Sequence, residues 1–374
     1  MYKWWMAGAS AHAAVRQRKI EYSYAPSTSV EGRQKLAMSL VHFVGSDVPP
    51  PPEYRRTMPG LWIVPSLGTA IAVVFNLPKY TGIDLKIPRA ALADIFIGRI
   101  RKWSELAEWN ERLTGVRENI SLVVQADGAE SYWLTSALSS FSTEWRGKVG
   151  ISSKPAWQSI IGRNIRIARG AVGMASLVHT APYTLGYMSH VSALSLRVQM
   201  ALIQNAHGAW VAPGRRGVAA AMDAFVDMLD KKRVDNSDKA SHDFTLSIID
   251  PQTGLDAYPI AMLTYIMFDV ASLSCKVLHD VLYLLYWIWS DAAAAQKAEE
   301  SSLTPISPHM SRSLIRVLAS IRCDESHVLS DVLWEVHSCE TGAAIFVSRT
   351  VAAVRELHLS LALLQGIYCA SWIP

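Results

Sequence analysis

Residues 61–77, LWIVPSLGTAIAVVFNL, constrain the fold of this chain more than any other stretch. They alternate poorly between polar and apolar positions and are rich in Val and Ile, which is the pattern of a strand buried on both faces. Such a strand needs cover above and below, so the expected class is α/β. A Pro/Gly break, PKYTG, follows it. The next segment, DIFIGRIRKWSEL (residues 94–106), reads as a helix entering a basic, Trp-terminated turn. Upstream, residues 20–25 (IEYSYA) read as a strand, RQKLAMSL as a helix and VHFVGS as a short strand, a spacing that suggests a βαβ unit of a parallel sheet. The prolines at 49–52 continue neither element and mark a surface connection. Residues 256–267, DAYPIAMLTYIM, are strand-like again, and residues 211–236 read as a helical excursion. From residue 275, CKVLHDVLYLLYWIWS has apolar residues at helical spacing, and its stripe of Tyr283, Tyr286, Trp287 and Trp289 reads as the face that packs on the sheet rather than a ligand box.

With 374 residues, half of them apolar, the chain is long enough for two lobes with separate cores. A formal charge of +4 and a pI near 8.8 favour anionic ligands mildly, but no Lys/Arg run resembles a nucleic-acid tract, so no nucleic-acid partner is expected. The four cysteines, Cys275, Cys323, Cys339 and Cys369, show neither CxxC spacing nor a His at metal-site distance, which argues against a metal site. Disulfides and buried free thiols remain equal readings of them. Catalysis is not expected. The chain has no G-x-S-x-G elbow, P-loop, G-x-G-x-x-G after a strand or H-E-x-x-H, and its eleven histidines, such as His42 and His190, are scattered. No cofactor is implied.

Several segments, taken in order over roughly residues 2–310, resemble the phosphate-binding proteins of ABC phosphate importers, the PstS-like members of the type II periplasmic binding proteins. YAPSTSVEGRQKLAMSLVHFVGSDVP matches the family's Ser/Gly loop, helix and strand ending in an aspartate. FNLPKYTG and DIFIGRIRKW match its hinge crossing and entry to the second lobe. VVQADGAESYWLTSAL, TEWRGKVG, PYTLGYMSHVSA and LDAYPIAMLTY follow in the family's sequence. The resemblance implies a two-lobed α/β fold with a ligand cleft between lobes. Residues 1–76 plus 251–325 would form the first lobe, 77–250 the second, and 326–374 a C-terminal extension. It also implies phosphate or a related oxyanion as ligand, a membrane permease and its ATPase or a fused membrane sensor as partner, and an extracytoplasmic location. YKWW corresponds to the family's first helix, so its opening strand and Thr-Phe loop are missing from this chain, and no signal peptide is visible. Residues 341–374 read either as the start of a membrane span or as an amphipathic helix capping the lobe.

A phosphate site needs many hydrogen-bond donors, few counter-charges, and one acceptor for the proton that monohydrogen phosphate carries and sulfate lacks. Helix N-termini supply donors, because their first amide groups have no partner within the helix. Two are expected here. At the first, Ser29 matches the family's phosphate-binding serine, and Thr28 and Ser29 are also good N-cap residues whether or not a ligand is present. Val30 and Glu31 stand where the family has glycines and bring bulk and negative charge near this loop. Asp47 matches the family's proton-accepting aspartate, though it also suits a turn before Val48-Pro49. At the second terminus, QADGAESYW departs from the family. Gln125 replaces an arginine and brings no positive charge or bidentate fork, Ala129 loses a hydroxyl, and Ser131 keeps one. Asp127 matches an aspartate expected to cap the helix and orient the basic partner.

Glu130 is the most consequential departure, since a carboxylate in the first helical turn competes for the same dipole as an anion. Two unit charges about 4 Å apart at an effective dielectric near 20 repel by roughly 4 kcal/mol. If Glu130 enters the cleft, phosphate binding should be weak or absent. If it points outward, Gln125, Ser131 and the amides still offer loose anion binding. A receptor-like or interaction ectodomain with the same fold and no tight phosphate binding is the competing reading.

Overall fold

The computed structural model describes residues 2–15, 18–80, 82–162, 165–226, 242–319, 321–323 and 326–327. The chain forms two compact units, Met1–Val317 and Leu318–Pro374. Within the smaller one, Arg322–Cys323 pairs antiparallel with Ser326–His327. The larger unit is a two-lobed α/β structure on a mixed sheet, whose main path runs Val44–Ser46, Ala261–Asp269, Leu61–Asn76, Thr184–Ser189, Ser121–Gln125, Ile165–Ala168.

The expected strand spans Leu61–Asn76, and all but its last residue are buried. It changes partner midway. From Leu61 to Ala70 it is laddered antiparallel to Ala261–Asp269, and from Ile71 to Asn76 to Thr184–Ser189. This one strand therefore belongs to both lobes. The return of the chain is fastened at the same point, where Ile71 N–H donates to the Ile260 carbonyl (3.0 Å) and the Tyr258 hydroxyl donates to the Ile71 carbonyl (2.9 Å). Pro65 sits inside the strand because the register shifts there: Pro65 faces Tyr265 and Leu67 faces Thr264, which leaves Ser66 extra. The Ser66 hydroxyl is held by those of Thr264 (2.9 Å) and Tyr2 (3.0 Å). Gly68 admits the helix Arg215–Asp223 to close range, since a Cβ there would lie 2.7 Å from a Val218 methyl.

Helix Cys275–Ser290 buries Tyr283, Trp287 and Trp289, and Trp289 Nε1–H donates to the Pro65 carbonyl (3.1 Å). The first helix, Tyr2–Val15, packs on it with Trp5, Met6, Ala9 and Ala13 buried. Of the aromatic stripe, Tyr283, Trp287 and Trp289 are core, as its spacing suggested, and Tyr286 is half-buried. Cys275 and Cys323 each take part in a disulfide, which decides between the two sequence readings for these two residues.

Three expectations need correction. Residues 20–25 are extended, with Ile20, Tyr22 and Tyr24 half-buried and their neighbours exposed, but they form no strand. A groove of about 510 Å³ separates them from Val44–Ser46, so no ladder closes, and side chains hold the segment instead. Tyr22 N–H donates to Ser10 Oγ (2.9 Å), its hydroxyl donates to the Asp280 carbonyl (2.7 Å), and Tyr24 stacks on Tyr2. The βαβ unit is therefore absent, and Val44–Ser46 pairs antiparallel with the returning strand. That returning strand begins at Ala261, because residues 254–257 turn, with Ala257 N–H bonded to the Gly254 carbonyl. Pro52 opens a short helix, Pro52–Thr57, where its missing N–H costs nothing. Helix Arg215–Asp223 lies in the expected excursion, while residues 227–241 and the tail 341–374 lie outside the described residues.

Candidate functional site

Helix Ser29–Ala37 starts as its sequence requires. Thr28 is the N-cap: its hydroxyl accepts from Glu31 N–H (3.2 Å), and the Glu31 carboxylate accepts from Thr28 N–H (3.1 Å). The charge expected to burden the loop is therefore occupied in closing the cap, and Val30 is exposed. Ser29 Oγ accepts from Asp47 N–H (3.3 Å), which binds the helix start to the loop after Val44–Ser46. The Asp47 carbonyl in turn accepts from Trp133 Nε1–H (2.7 Å) on helix Ala129–Phe141. This last bond joins elements from the two halves of the sheet. Asp47 is exposed at the surface, yet the protein atoms around its carboxyl desolvate it enough to raise its pKa.

The second helix start has a different construction. Its N-cap is Gly128, in a positive-φ conformation (130°) with no side chain to offer. Asp127 is exposed and makes no capping bond, so the capping role expected of it falls away. Glu130 instead accepts from its own backbone N–H, and its pKa is raised by desolvation and secondarily by the Asp47 carboxylate. Its carboxyl therefore stays beside the helix start, within the electrostatic reach of Asp47. One of its carboxyl oxygens lies 3.4 Å, and the Gln125 amide oxygen 3.6 Å, from the point a Cβ on Gly128 would occupy.

Gln125 is only 3% exposed, and its Nε2 group has no hydrogen-bond partner. Its backbone is fixed on both sides: N–H donates to the Tyr187 hydroxyl oxygen (3.0 Å), and its carbonyl accepts from Trp157 Nε1–H (2.8 Å). Ser131 is fully buried, with Oγ 2.7 Å from the Tyr187 hydroxyl. Tyr187 thus joins two of the expected donors beneath the helix start, and burial pushes its phenol up to about 12. Sequence reasoning missed Tyr187 and Trp133. Both lie in segments that carried the resemblance, but aromatic letters there do not say that a hydroxyl or an indole N–H is the connecting atom.

Ser29, Asp47 and Trp133 are thus linked by hydrogen bonds, and Gln125, Glu130, Ser131 and Tyr187 gather at the second helix start. Thr28 is engaged in its cap, and Asp127 takes no part in these bonds. Among the described residues no lysine or arginine pairs with Asp47 or Glu130. None of these residues forms a group of three or more His, Cys, Asp and Glu able to hold a metal ion. Among the described residues no helix is long and apolar enough to cross a membrane.

The chain is 26% identical over 327 residues to the phosphate-binding protein PstS of Xylella fastidiosa strain Temecula1, covering 84% of each. It is 22% identical over 293 residues to an Acanthamoeba polyphaga mimivirus protein whose name gives it as a serine/threonine-protein kinase/receptor, covering 72% of this chain and 17% of that protein. In structure it is similar to the phosphate binding protein of Stenotrophomonas maltophilia, with a TM-score of 0.57 at 18% identity over 79% of this chain and 87% of that one. A family model described as PBP superfamily domain matches residues 6–227, more than half of the sequence, and the chain belongs to that family as a PstS-like member.

Proposed function

We propose that the cleft binds phosphate or a related oxyanion without catalysing a reaction, in the manner of a solute-binding domain. The observation that carries this reading is the buried Gln125 amide beside the start of helix Ala129–Phe141: its N–H₂ group has no partner in the protein, and its oxygen lies 3.6 Å from the point a Cβ on Gly128 would occupy. A buried amide donor without a partner costs about 1–3 kcal/mol, and an oxyanion in the cleft would satisfy it together with those amides of the helix start that Ser153 and the Glu130 carboxyl leave unbonded. The names of the bacterial relatives support the ligand class. The lobes of this reading are residues 1–76 plus 251–325 and residues 77–250, with closure about the crossing strand as the working motion. A membrane permease as partner and an extracytoplasmic location follow from the same likeness.

A receptor-like role without tight phosphate binding is the second reading. It is favoured by a carboxyl, Glu130, in the first turn of the second helix and by the likeness to a kinase/receptor of which this chain spans 17%. Calorimetric titration with phosphate and sulfate, on the unaltered chain and on a Gln125→Arg, Glu130→Gly double variant, separates the two. Micromolar or tighter phosphate binding by the unaltered chain supports the first reading. Binding by the double variant alone supports the second, and binding by neither removes the oxyanion reading.

A further inference from the structure

The Trp133 indole N–H and the Asp47 carbonyl, 2.7 Å apart, come from separate halves of the sheet. Asp47 follows Val44–Ser46, which pairs with the returning strand, whereas Trp133 lies in helix Ala129–Phe141, whose first turn is fixed to Thr184–Ser189 through the Ser131–Tyr187 bond. Both ends of the contact are braced. Around Asp47, Ser29 Oγ accepts from its N–H (3.3 Å) and Ser46 Oγ donates to the Val48 carbonyl (2.7 Å). The prolines at 49–52 restrict the backbone that follows, and Arg55 donates to the Pro50 carbonyl through Nε (3.2 Å) and Nη2 (3.0 Å). Trp133 is buried within its helix, edge-on to Tyr132 with ring centroids 5.1 Å apart. A bond between two braced bodies breaks when the bodies part, not by a local excursion of either end.

The donors expected of the second helix start lie out of reach of solvent. Ser131 is fully buried, and Gln125 is 3% exposed with its Nε2 group both buried and unpartnered. No ligand atom meets them unless the surrounding protein moves. We propose that Trp133 is a positioning residue that acts through the Asp47 carbonyl: its indole latches the two halves together, and an oxyanion reaches Gln125 and Ser131 only while this bond is open. The latch consists of protein atoms alone and forms without a ligand. Its consequence for uptake rests on the oxyanion reading above.

An indole has a single N–H to give, so the latch is one bond, made or lost as a whole. Opening exchanges it for bonds to water, and a net contribution of that kind shifts the open population by about two- to tenfold. Association is slowed by the small fraction of molecules that is open. Dissociation is slowed by the same factor, because the ligand-bound form keeps the bond and must break it to release. The two effects cancel in the affinity. This separates a latch from a ligand contact, whose loss speeds dissociation and leaves association as it was.

The test compares the unaltered chain with Trp133→Phe and with a chain in which a benzothiophene replaces the Trp133 indole, keeping the ring system and removing only the N–H. If Trp133→Phe loosens the packing, the benzothiophene chain carries the comparison. Hydrogen exchange of the Gln125 side-chain N–H₂ protons, followed by NMR with no ligand added, reads the open population. Stopped-flow mixing with phosphate and with sulfate reads the two rates. We expect exchange, association and dissociation each to be faster by about two- to tenfold without the N–H, with the affinity changed by less than about twofold. Unchanged exchange overturns the latch whatever the ligand does. Faster dissociation with unchanged association also overturns it, since Trp133 then supports the bound state and gates nothing. Faster exchange in chains that bind neither anion supports the latch and overturns the oxyanion reading, and with it the uptake step.

Discussion

Two glutamates in first helical turns meet opposite fates in this molecule, and the difference lies two or three residues upstream. Glu31 follows a Thr N-cap that can reciprocate, so its carboxylate closes a capping box. Glu130 follows a Gly N-cap with no side chain, so its carboxyl takes its own amide and stays beside the helix start. Tyr187 is the residue on which the neighbouring donors depend. Tyr187→Phe leaves the Ser131 hydroxyl and the Gln125 N–H buried without a partner, and should cost about 1–3 kcal/mol in denaturant unfolding. Its phenol, like that of Tyr2, is raised from 10.0 to about 12 by burial. Because the folded value lies above the unfolded one for a group that is neutral when protonated, stability should hold up to about pH 10. It should then fall between about pH 10 and about 12 as the unfolded phenols ionise first, which stability curves taken alongside a phenolate absorbance titration would show.

At the scale of elements, the crossing strand carries the architecture. Its apolar run was legible as a doubly buried strand because such a strand cannot alternate, and the structure covers it on both faces. The partner change at Ala70/Ile71 was not legible, since ladder partners are chosen by segments more than a hundred residues away. Gly68 shows how closely that strand is packed. Gly68→Ala places a Cβ against Val218 and the end of the Met222 side chain and should destabilise by about 1–3 kcal/mol, because a Val methyl on a helix yields less readily than the flexible Met. A stabilising effect in thermal unfolding, as expected for a glycine removed from an open strand, would refute the close packing. The short strand expected at residues 20–25 failed for a related reason: alternation was present, but a strand also needs a neighbour within ladder distance.

At the scale of the whole molecule, Asp250 fastens the returning chain to the lobe it leaves. It is buried, in a positive-φ conformation (49°), and accepts from Arg89 of helix Arg89–Phe96 and from Ser140 of helix Ala129–Phe141 (2.7 Å). Its own N–H bonds the Pro259 carbonyl, close to the point where the two crossing segments meet. Asp250→Ala should cost about 2–3 kcal/mol, below the usual range for breaking a fully buried pair because the Arg89 side chain keeps 28% exposure. Asp250→Asn should recover part of that through the Ser140 bond. Equal stability of the two variants in denaturant unfolding would show that the charge pair alone matters.

The sequence by itself determined the α/β class, the buried crossing strand, the aromatic packing face of helix Cys275–Ser290 and the two helix starts at the cleft. Each of these depends on local periodicity or on cap chemistry that neighbouring residues carry. It also named Ser29, Asp47, Gln125 and Ser131 by resemblance. Only the tertiary structure decided that the Asp47 carbonyl receives the Trp133 indole, that Tyr187 joins Gln125 to Ser131, and that the Glu130 carboxyl stands with the Gln125 amide beside Gly128. Those facts depend on where separate segments meet once the crossing strand has set the two halves of the sheet. No window of sequence contains that distance.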